Sequence, residues 1–185
     1  MPEFCILFRQ FTICMRIRRK FLTIPVLFGA IVSPLHLSAK VPAGTKVDHI
    51  VILKSKREMK LFCNGGVVKT YRIALGAAPV GPKERQGDHK TPEGTYFISG
   101  RNANSQYHRS LRVSYPSAED RARAAKRGVS PGGDIMIHGL PNGYGWVGRG
   151  HLSKDWTEGC IAVTDPEIEE IWSLVADGTP VEIRP

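Results

Sequence analysis

The sequence predicts a mainly β protein, either a β-sandwich or a mixed sheet, with a few short peripheral helices. Short apolar runs of strand length recur from residue 47 onward, separated by turns that contain Gly, Pro or Asn. Only two segments carry helix-capping signals. With 185 residues, 42% of them apolar and 23% charged, the chain suits one domain plus a targeting segment. This composition excludes collagen-like and disordered proteins.

Residues 1–39 are predicted to be a signal peptide. A basic segment, 16–20, precedes an apolar stretch, and Leu37-Ser-Ala39 resembles a small-residue cleavage site. A compact signal peptide would begin at Met15, which is therefore a candidate alternative start. The apolar stretch is broken by prolines and is shorter than the roughly 20 residues that a membrane-spanning helix needs. We therefore expect export to the periplasm or another extracytoplasmic compartment, with no stable membrane span after signal cleavage. An uncleaved anchor is the alternative.

The rest of the chain is predicted to be a short linker, residues 40–47, and a catalytic domain, residues 48–184. The 26 Lys and Arg residues outnumber the 17 Asp and Glu residues, but the leader holds five of the bases and one of the acids. The 21 bases and 16 acids that remain form no runs. Such a small surplus argues against a nucleic-acid partner and fits a polyanionic surface such as a cell wall.

The first half of the domain is expected to begin as a meander of strands. His49 to Lys54 and Met59 to Asn64 are apolar runs. Asn64-Gly65 is typical of a tight hairpin turn, so we expect the chain from Val67 to Leu75 to pair with the run before it.

Further strands are predicted on both sides of a polar loop and turn. Thr91-Pro-Glu-Gly94 is a turn that leads into a strand from Thr95 to Ser99. Leu111 to Tyr115 and Asp134 to His138 are strand candidates, and Val181 to Ile183 is expected to be a closing strand.

Two helices are predicted from their ends. Ser117 caps a surface helix that Gly128 terminates. Thr164 begins a second helix with a capping-box pattern, and Gly178 is expected to stop it. Ile168, Ile171, Trp172 and Val175 share one face of that helix at helical spacing, so Trp172 is expected to be a core residue.

Removal of the leader leaves two thiols, Cys63 and Cys160. They could pair in a compartment where disulfides persist. Strand alternation instead puts Cys63 on one face with Met59 and Leu61, which predicts a buried structural thiol. Cys160 is then a free, reactive cysteine.

A possible cysteine–histidine pair follows from two motifs. His138 ends a strand immediately before Gly139, and Cys160 lies between Gly159 and an apolar run. A thiol with a pKa of about 8.5 is mostly protonated at neutral pH, so a nucleophilic cysteine needs a neighbour that lowers its pKa. His138 is the leading candidate for that neighbour. A zinc site built from His138, His151 and Cys160 is the rival interpretation, but the spacing matches no compact ligand pattern.

The same segments resemble the L,D-transpeptidase (YkuD) family of peptidoglycan enzymes. The motifs are Ile137-His-Gly139 and Thr157-Glu-Gly-Cys-Ile-Ala-Val163, preceded by Gly87-Asp-His-Lys-Thr-Pro-Glu-Gly94. The resemblance covers residues 48–183 and implies a YkuD-like fold. It also implies a cysteine acyltransferase that uses no cofactor or metal.

The resemblance implies a role for each motif residue. Cys160 attacks the carbonyl at the L-centre of diaminopimelate in a tetrapeptide stem, D-alanine leaves, and the thioester passes to an amine or to water. His138 acts as base and then acid, oriented by the backbone carbonyl of Gly139. The N–H groups of Gly159 and Cys160 form the oxyanion hole.

Neighbouring residues are candidates for substrate binding. Trp146 and Trp156 are candidates to wall a sugar or peptide groove, with a packing role as the alternative. Arg149 is a candidate to meet stem carboxylates, with an exposed charged loop as the alternative. Thr157 is expected to be either a site-wall residue or a turn residue. His151 is expected to be solvated.

Two departures separate this sequence from the usual family pattern. Glu158 stands where a second histidine is common, and Ala162 where Arg or Asn is common. The variant is similar to a YafK-like subgroup, which includes hydrolases. The expected partners are peptidoglycan stem peptides, with a wall-attached protein as a further candidate. Three functions remain open: an L,D-transpeptidase, a same-fold L,D-carboxypeptidase or amidase that releases wall-attached protein, and a non-catalytic wall-binding module.

Overall fold

The computed structural model describes residue 41 and residues 44–185. The predicted signal peptide lies outside these residues, and the predicted linker is described only in part. In the described part of the chain, no helix is long and apolar enough to cross a membrane.

Eight strands form one mixed sheet, which confirms the predicted fold class. The strands are β1 (His49–Leu53), β2 (Glu58–Cys63), β3 (Gly66–Arg72), β4 (Gly94–Ser105), β5 (His108–Val113), β6 (Met136–His138), β7 (Ile161–Ala162) and β8 (Pro180–Arg184). Their order across the sheet is β3-β2-β1-β8-β4-β5-β6-β7. Two α-helices, α1 (Ala118–Lys126) and α2 (Asp165–Leu174), and a 3₁₀ segment, Gly145–Ser153, complete the domain.

The β2–β3 hairpin turns at Asn64 and Gly65, as predicted. Both residues have positive φ, 51° and 76°, the backbone that a type I′ turn requires. A register shift between Leu61 and Phe62 interrupts the alternation of β2. Cys63 is therefore half-buried, and the prediction of a buried structural thiol was wrong. Cys63 and Cys160 are both free thiols.

The C-terminal strand β8 lies inside the sheet rather than closing it. It runs parallel to β1 and antiparallel to β4, so both of its edges are paired. Val181 and Ile183 are buried in the core between these neighbours.

The sheet curls until its two ends meet. Ala74, just after β3, exchanges two backbone hydrogen bonds with Ala162 of β7, at 3.0 and 2.9 Å. The enclosed core contains Ile50, Ile52, Leu61, Ile98, Leu111, Ile137 and Ile161, all fully buried. This curl brings the short strands β6 and β7 beside the loop that follows β3.

The β4–β5 hairpin is longer than the predicted strands. The segment 101–105 is too polar to resemble a strand, yet it pairs with β5 through two register shifts. The extension carries the hairpin tip, Gln106-Tyr107, to the edge of the site described below.

Both helices begin with the predicted caps. Ser117 and Asp120 form one capping box, and Thr164 and Glu167 form the other. Helix α2 ends at Leu174, so Gly178 does not stop it as expected but lies four residues beyond its end, with a positive φ.

Trp172 packs only partly against the core. Its ring is contacted by the guanidinium groups of Arg101 and Arg109, each 5.1 Å from the ring centroid. The predicted core tryptophan is therefore a half-buried residue that also takes part in cation–π contacts.

Candidate active site

The pairing of β6 with β7 brings the two predicted catalytic side chains together. The strands are parallel, with Ile137 opposite Ile161 and His138 opposite Ala162. Cys160 immediately precedes β7. Because side chains alternate along a strand, those of Cys160 and His138 lie on the same face as diagonal neighbours.

The two side chains share a cavity of about 400 Å³. Its walls come from the β4–β5 hairpin, the segment around β6 and the segment before β7. The lining residues include Asn102, Ser105, Gln106, Tyr107, Asp134 and Trp156. The size suits a short peptide segment, and the polar groups supply points for orienting it.

The thiol of Cys160 is neutral in the resting site. The Met136 N–H donates to Sγ at 3.4 Å, and the thiol donates to the Asp134 carbonyl at 3.5 Å. Burial raises the pKa of Cys160, and the charges of Asp134 and Glu158 add to that effect. The expectation that an imidazolium lowers the pKa of this thiol was therefore wrong for the unliganded site.

His138 is neutral for the same physical reason. Its ring is buried, which lowers the pKa of His138 to about 4. Nδ1 lies 2.7 Å from the Gly139 carbonyl oxygen, an acceptor, so Nδ1 carries the hydrogen. Nε2 is left as the basic nitrogen of the ring. The rings of Tyr107 and Trp156 contact the imidazole at centroid distances of 4.5 and 5.9 Å.

The turn that holds the Gly139 carbonyl is fixed by helix α2. The Leu140 N–H donates to Oδ1 of Asp165 at 2.8 Å. A Cβ at position 139 would lie 2.7 Å from the same oxygen, so this close approach requires glycine. Asp165 thus fixes the carbonyl that orients His138.

Thr157 organises the backbone around the nucleophile. Its hydroxyl donates to the Cys160 carbonyl at 2.7 Å and accepts from the Gly159 N–H at 3.1 Å. The Gly159 amide, predicted to serve the oxyanion hole, is therefore occupied in the resting structure. The Cys160 N–H has no acceptor among residues 44–185 and is the available backbone donor. Of the two roles left open for Thr157, the turn role accounts for these contacts.

Gly159 also allows a neighbouring loop to approach the nucleophile. Its φ is 129°, and a Cβ there would lie 2.6 Å from the carbonyl oxygen of Lys90. The segment that contains Lys90 therefore packs backbone to backbone against the turn before Cys160.

Glu158 lies at the rim of the cavity, where it meets His89, to which no role was assigned from the sequence. Its carboxylate is 2.6 Å from Nδ1 of His89, and its side chain is 79% exposed. Glu158 and Asp134 also line an adjacent cavity with Lys83. The contact links the loop 81–91 to the turn that carries the nucleophile.

The other predicted site residues take different positions. Trp156 lines the cavity. Arg149 is exposed and is not among the cavity's lining residues. His151 is 7% exposed, so the prediction that it is solvated was wrong; the 3₁₀ segment folds back and buries it against Trp156. Among residue 41 and residues 44–185, no group of three or more His, Cys, Asp or Glu side chains is arranged to hold a metal ion.

Among the site residues that sequence reasoning missed, four contact the catalytic side chains or the turns that hold them. Tyr107 lies on a hairpin tip that the strand prediction did not include. Asp165 follows Thr164 in the capping-box pattern that was interpreted only as a helix start, and Met136 acts through its backbone. His89 lies within the quoted Gly87–Gly94 motif, and that is the one signal that could have singled it out.

Comparison with known proteins identifies the family. A family model described as the L,D-transpeptidase catalytic domain, YkuD, matches residues 47–183. The chain belongs to the YkuD family. This domain therefore shares its ancestry with peptidoglycan-modifying catalytic domains.

A curated relative places the chain nearer one branch of the YkuD family. It is 31% identical over 133 residues to the Escherichia coli K12 protein named "Putative L,D-transpeptidase YafK", a match that covers 69% of this chain. The chain spans 46% of the length of that relative. The resemblance to a YafK-like variant is thereby confirmed.

Solved structures share the fold. The helical cell shape determining protein Pgp2 of Campylobacter jejuni superposes with a TM-score of 0.58 at 22% identity, covering 76% of this chain and 48% of that one. Bd1075 of Bdellovibrio bacteriovorus gives 0.54 at 24% identity, covering 80% and 51%. Both likenesses concern the fold of the YkuD domain.

Proposed function

We propose that this YkuD domain is an extracytoplasmic cysteine acyltransferase that acts on peptidoglycan stem peptides. The observation that carries the proposal is the shared cavity: Cys160 and an oriented, neutral His138 open onto one space on the same face of the sheet. Membership of the YkuD family supports the substrate class. The signal peptide predicted for residues 1–39 supports action outside the cytoplasm.

The first half-reaction forms a thioester. As Sγ of Cys160 attacks the carbonyl at the L-centre of diaminopimelate, the thiol proton passes to Nε2 of His138. The developing oxyanion accepts a hydrogen bond from the Cys160 N–H. The C–N bond to D-alanine then breaks, and the imidazolium returns its proton to the leaving amine.

The second half-reaction transfers the acyl group. An incoming amine, or water, gives a proton to Nε2 as it attacks the thioester, and the sulfur leaves as a thiolate that the imidazolium reprotonates. A neutral His138 suits this cycle because each half-reaction begins and ends with an uncharged imidazole and an uncharged sulfur. The Gly139 carbonyl stabilises the imidazolium that forms within each half-reaction.

Product analysis tests the proposal. Purified protein is incubated with soluble muropeptides that carry tetrapeptide stems, and the products are resolved by mass. We expect loss of D-alanine from the stem, no reaction with Cys160→Ala, and full reaction with Cys63→Ala, the matched control at the other free thiol. Unchanged stems, or equal activity of Cys160→Ala, would refute the acyltransferase assignment.

Hydrolysis is the second candidate, and Glu158 favours it. Its exposed carboxylate stands at the rim of the cavity, and the ion pair with His89 neutralises it only when that histidine is protonated. A negative charge there disfavours a second, carboxylate-rich stem as acceptor but does not hinder water or small amines.

The same reaction, run with excess acceptor stem, identifies the acceptor from the masses of its products. We expect hydrolysis or exchange products to equal or exceed 3-3 dimers, and Glu158→His to shift the ratio towards dimers. Glu158→Gln, which removes only the charge, separates electrostatics from shape. Dominant dimers in the unmodified protein, with no response to either substitution, would return the cross-linking transpeptidase to first place.

A further inference from the structure

A second cavity lies on the other side of Trp156. Its volume is about 300 Å³, and its walls are mainly apolar and aromatic. Leu140, Pro141, Tyr144, Val147 and Trp156 form most of them. Trp156 lines both cavities and therefore forms the partition between this space and the one that contains Cys160.

A buried imidazole beside this cavity lacks a hydrogen-bond partner. His151 lines the cavity, and its Nδ1 lies 3.5 Å from the indole N–H of Trp156, which can only donate. Nδ1 is thus the acceptor, and the neutral ring carries its hydrogen on Nε2. That atom is buried and has no partner among residues 44–185. An unpaired buried donor is costly, and a ligand oxygen would satisfy it.

The chemistry of this cavity differs from that of the catalytic cavity. A stem peptide carries amide and carboxylate groups, which polar walls such as Asn102, Ser105 and Gln106 in the first cavity can hydrogen-bond. The second cavity offers aromatic faces, and the buried N–H of His151 belongs to a residue of its wall. A pyranose ring has apolar faces that stack on aromatic rings, and an acetamido group supplies a carbonyl acceptor. We propose that the second cavity binds an N-acetylated amino sugar of the glycan strand.

The position of the cavity agrees with the covalent structure of the substrate. Trp156 contacts His138 at a ring-centroid distance of 5.9 Å and His151 at 6.5 Å. Three extended residues span about 10 Å, which is the stem length between a sugar and the diaminopimelate carbonyl. The second cavity therefore lies within reach of a sugar whose stem reacts at Cys160. The link between the two cavities through a stem rests on the proposed function, whereas binding of a sugar in the second cavity does not.

The same segment exposes aromatic surface to water. Tyr144 is 57% exposed and Trp146 is 82% exposed, whereas most large apolar side chains in the described part of the chain are buried. Exposed aromatic rings beside a cavity are typical of a binding surface. A glycan longer than one sugar would continue across these rings.

Binding of a stem-free oligosaccharide tests the proposal. The probe is tri-N-acetylchitotriose, titrated by calorimetry and tryptophan fluorescence into the full chain carrying Cys160→Ala. We expect saturable binding that Tyr144→Ala weakens about fivefold or more. His151→Phe, which keeps an aromatic ring but removes the donor, should also weaken it. Phe97→Ala, at an aromatic residue of β4 that is 50% exposed and lines neither cavity, is the matched control.

Three results would overturn the proposal: no saturable binding, binding that Tyr144→Ala and Phe97→Ala affect equally, or displacement of the sugar by a sugar-free tetrapeptide. The last result would make the cavity a peptide site. Because Cys160→Ala carries out no acyl transfer, sugar binding is measured independently of catalysis. A negative sugar titration would not affect the prediction of D-alanine release. Likewise, absence of D-alanine release would not affect the prediction of sugar binding.

Discussion

The neutral state of His138 makes a quantitative prediction about acid stability. Burial lowers the pKa of His138 to about 4 in the folded protein, against 6.5 for an unperturbed imidazole. The unfolded chain therefore binds more protons than the folded chain between these values. The contribution of the neutral His138 to the free energy of unfolding is fully present above pH 6.5 and is lost as the pH falls towards 4. Linkage gives a loss of about 2.5 kcal/mol between pH 7.5 and 4.5.

Urea unfolding at these two pH values measures that loss, and His138→Gln isolates it. The variant should lose about 2.5 kcal/mol less than the unmodified protein. The lower limit of pH 4.5 avoids carboxylates such as Asp88, whose pKa is lowered to about 2. Burial also lowers the pKa of His151, so the variant keeps a smaller pH dependence of the same sign. Equal losses in the two proteins would refute a buried, neutral His138.

Three further predictions concern the segment around the nucleophile. At pH 7, iodoacetamide should modify Cys160 more slowly in the folded protein than in urea, because burial raises the pKa of the thiol; faster modification in the folded state, read by peptide mass, would indicate a preformed thiolate. Thr157→Val should lower the free energy of unfolding by about 2–4 kcal/mol because the buried Gly159 N–H and the half-buried Cys160 carbonyl lose their partner, whereas Thr70→Val, on the exposed side of β3, should change it little in the same urea titration. Gly159→Ala should cost far more stability than Gly128→Ala, since only the first introduces a backbone clash; similar costs by thermal unfolding would contradict the close packing at this turn.

Local signals in the sequence predicted the local parts of the structure. Asn64-Gly65 determines the hairpin through its positive φ values, and Ser117 and Thr164 cap their helices through contacts within one turn. The His138-Gly139 and Gly159-Cys160 motifs were recognisable because each one is contiguous. These features depend on neighbours within a few residues, which the sequence displays directly.

Features that depend on distant pairing were missed. The segment 101–105 is a strand only because β5 pairs with it, and β8 occupies the middle of the sheet because β1 and β4 both accept it. Burial of His151 depends on how the 3₁₀ segment folds back on Trp156. No local pattern displays such contacts.

The electrostatics of the site also followed from tertiary structure. The sequence indicated that Cys160 needs a partner, but the direction of its pKa shift depends on burial and on the nearby charges of Asp134 and Glu158. The contact between Glu158 and His89 joins two loops that are 69 positions apart in the chain. Neither the direction of the pKa shift of Cys160 nor the contact between Glu158 and His89 can be derived from the spacing of residues in the sequence.

Trapping the acyl-enzyme tests the central claim most directly. The protein is mixed with a tetrapeptide-stem donor in the absence of an acceptor amine, quenched in acid within seconds, and its intact mass and peptide map are measured. We predict one adduct with the mass of the stem minus D-alanine, on Cys160, removed by hydroxylamine as a thioester and formed much more slowly by His138→Ala. An adduct on Cys63, or D-alanine release without any covalent adduct even under rapid quench, would contradict the assignment of Cys160 as the nucleophile.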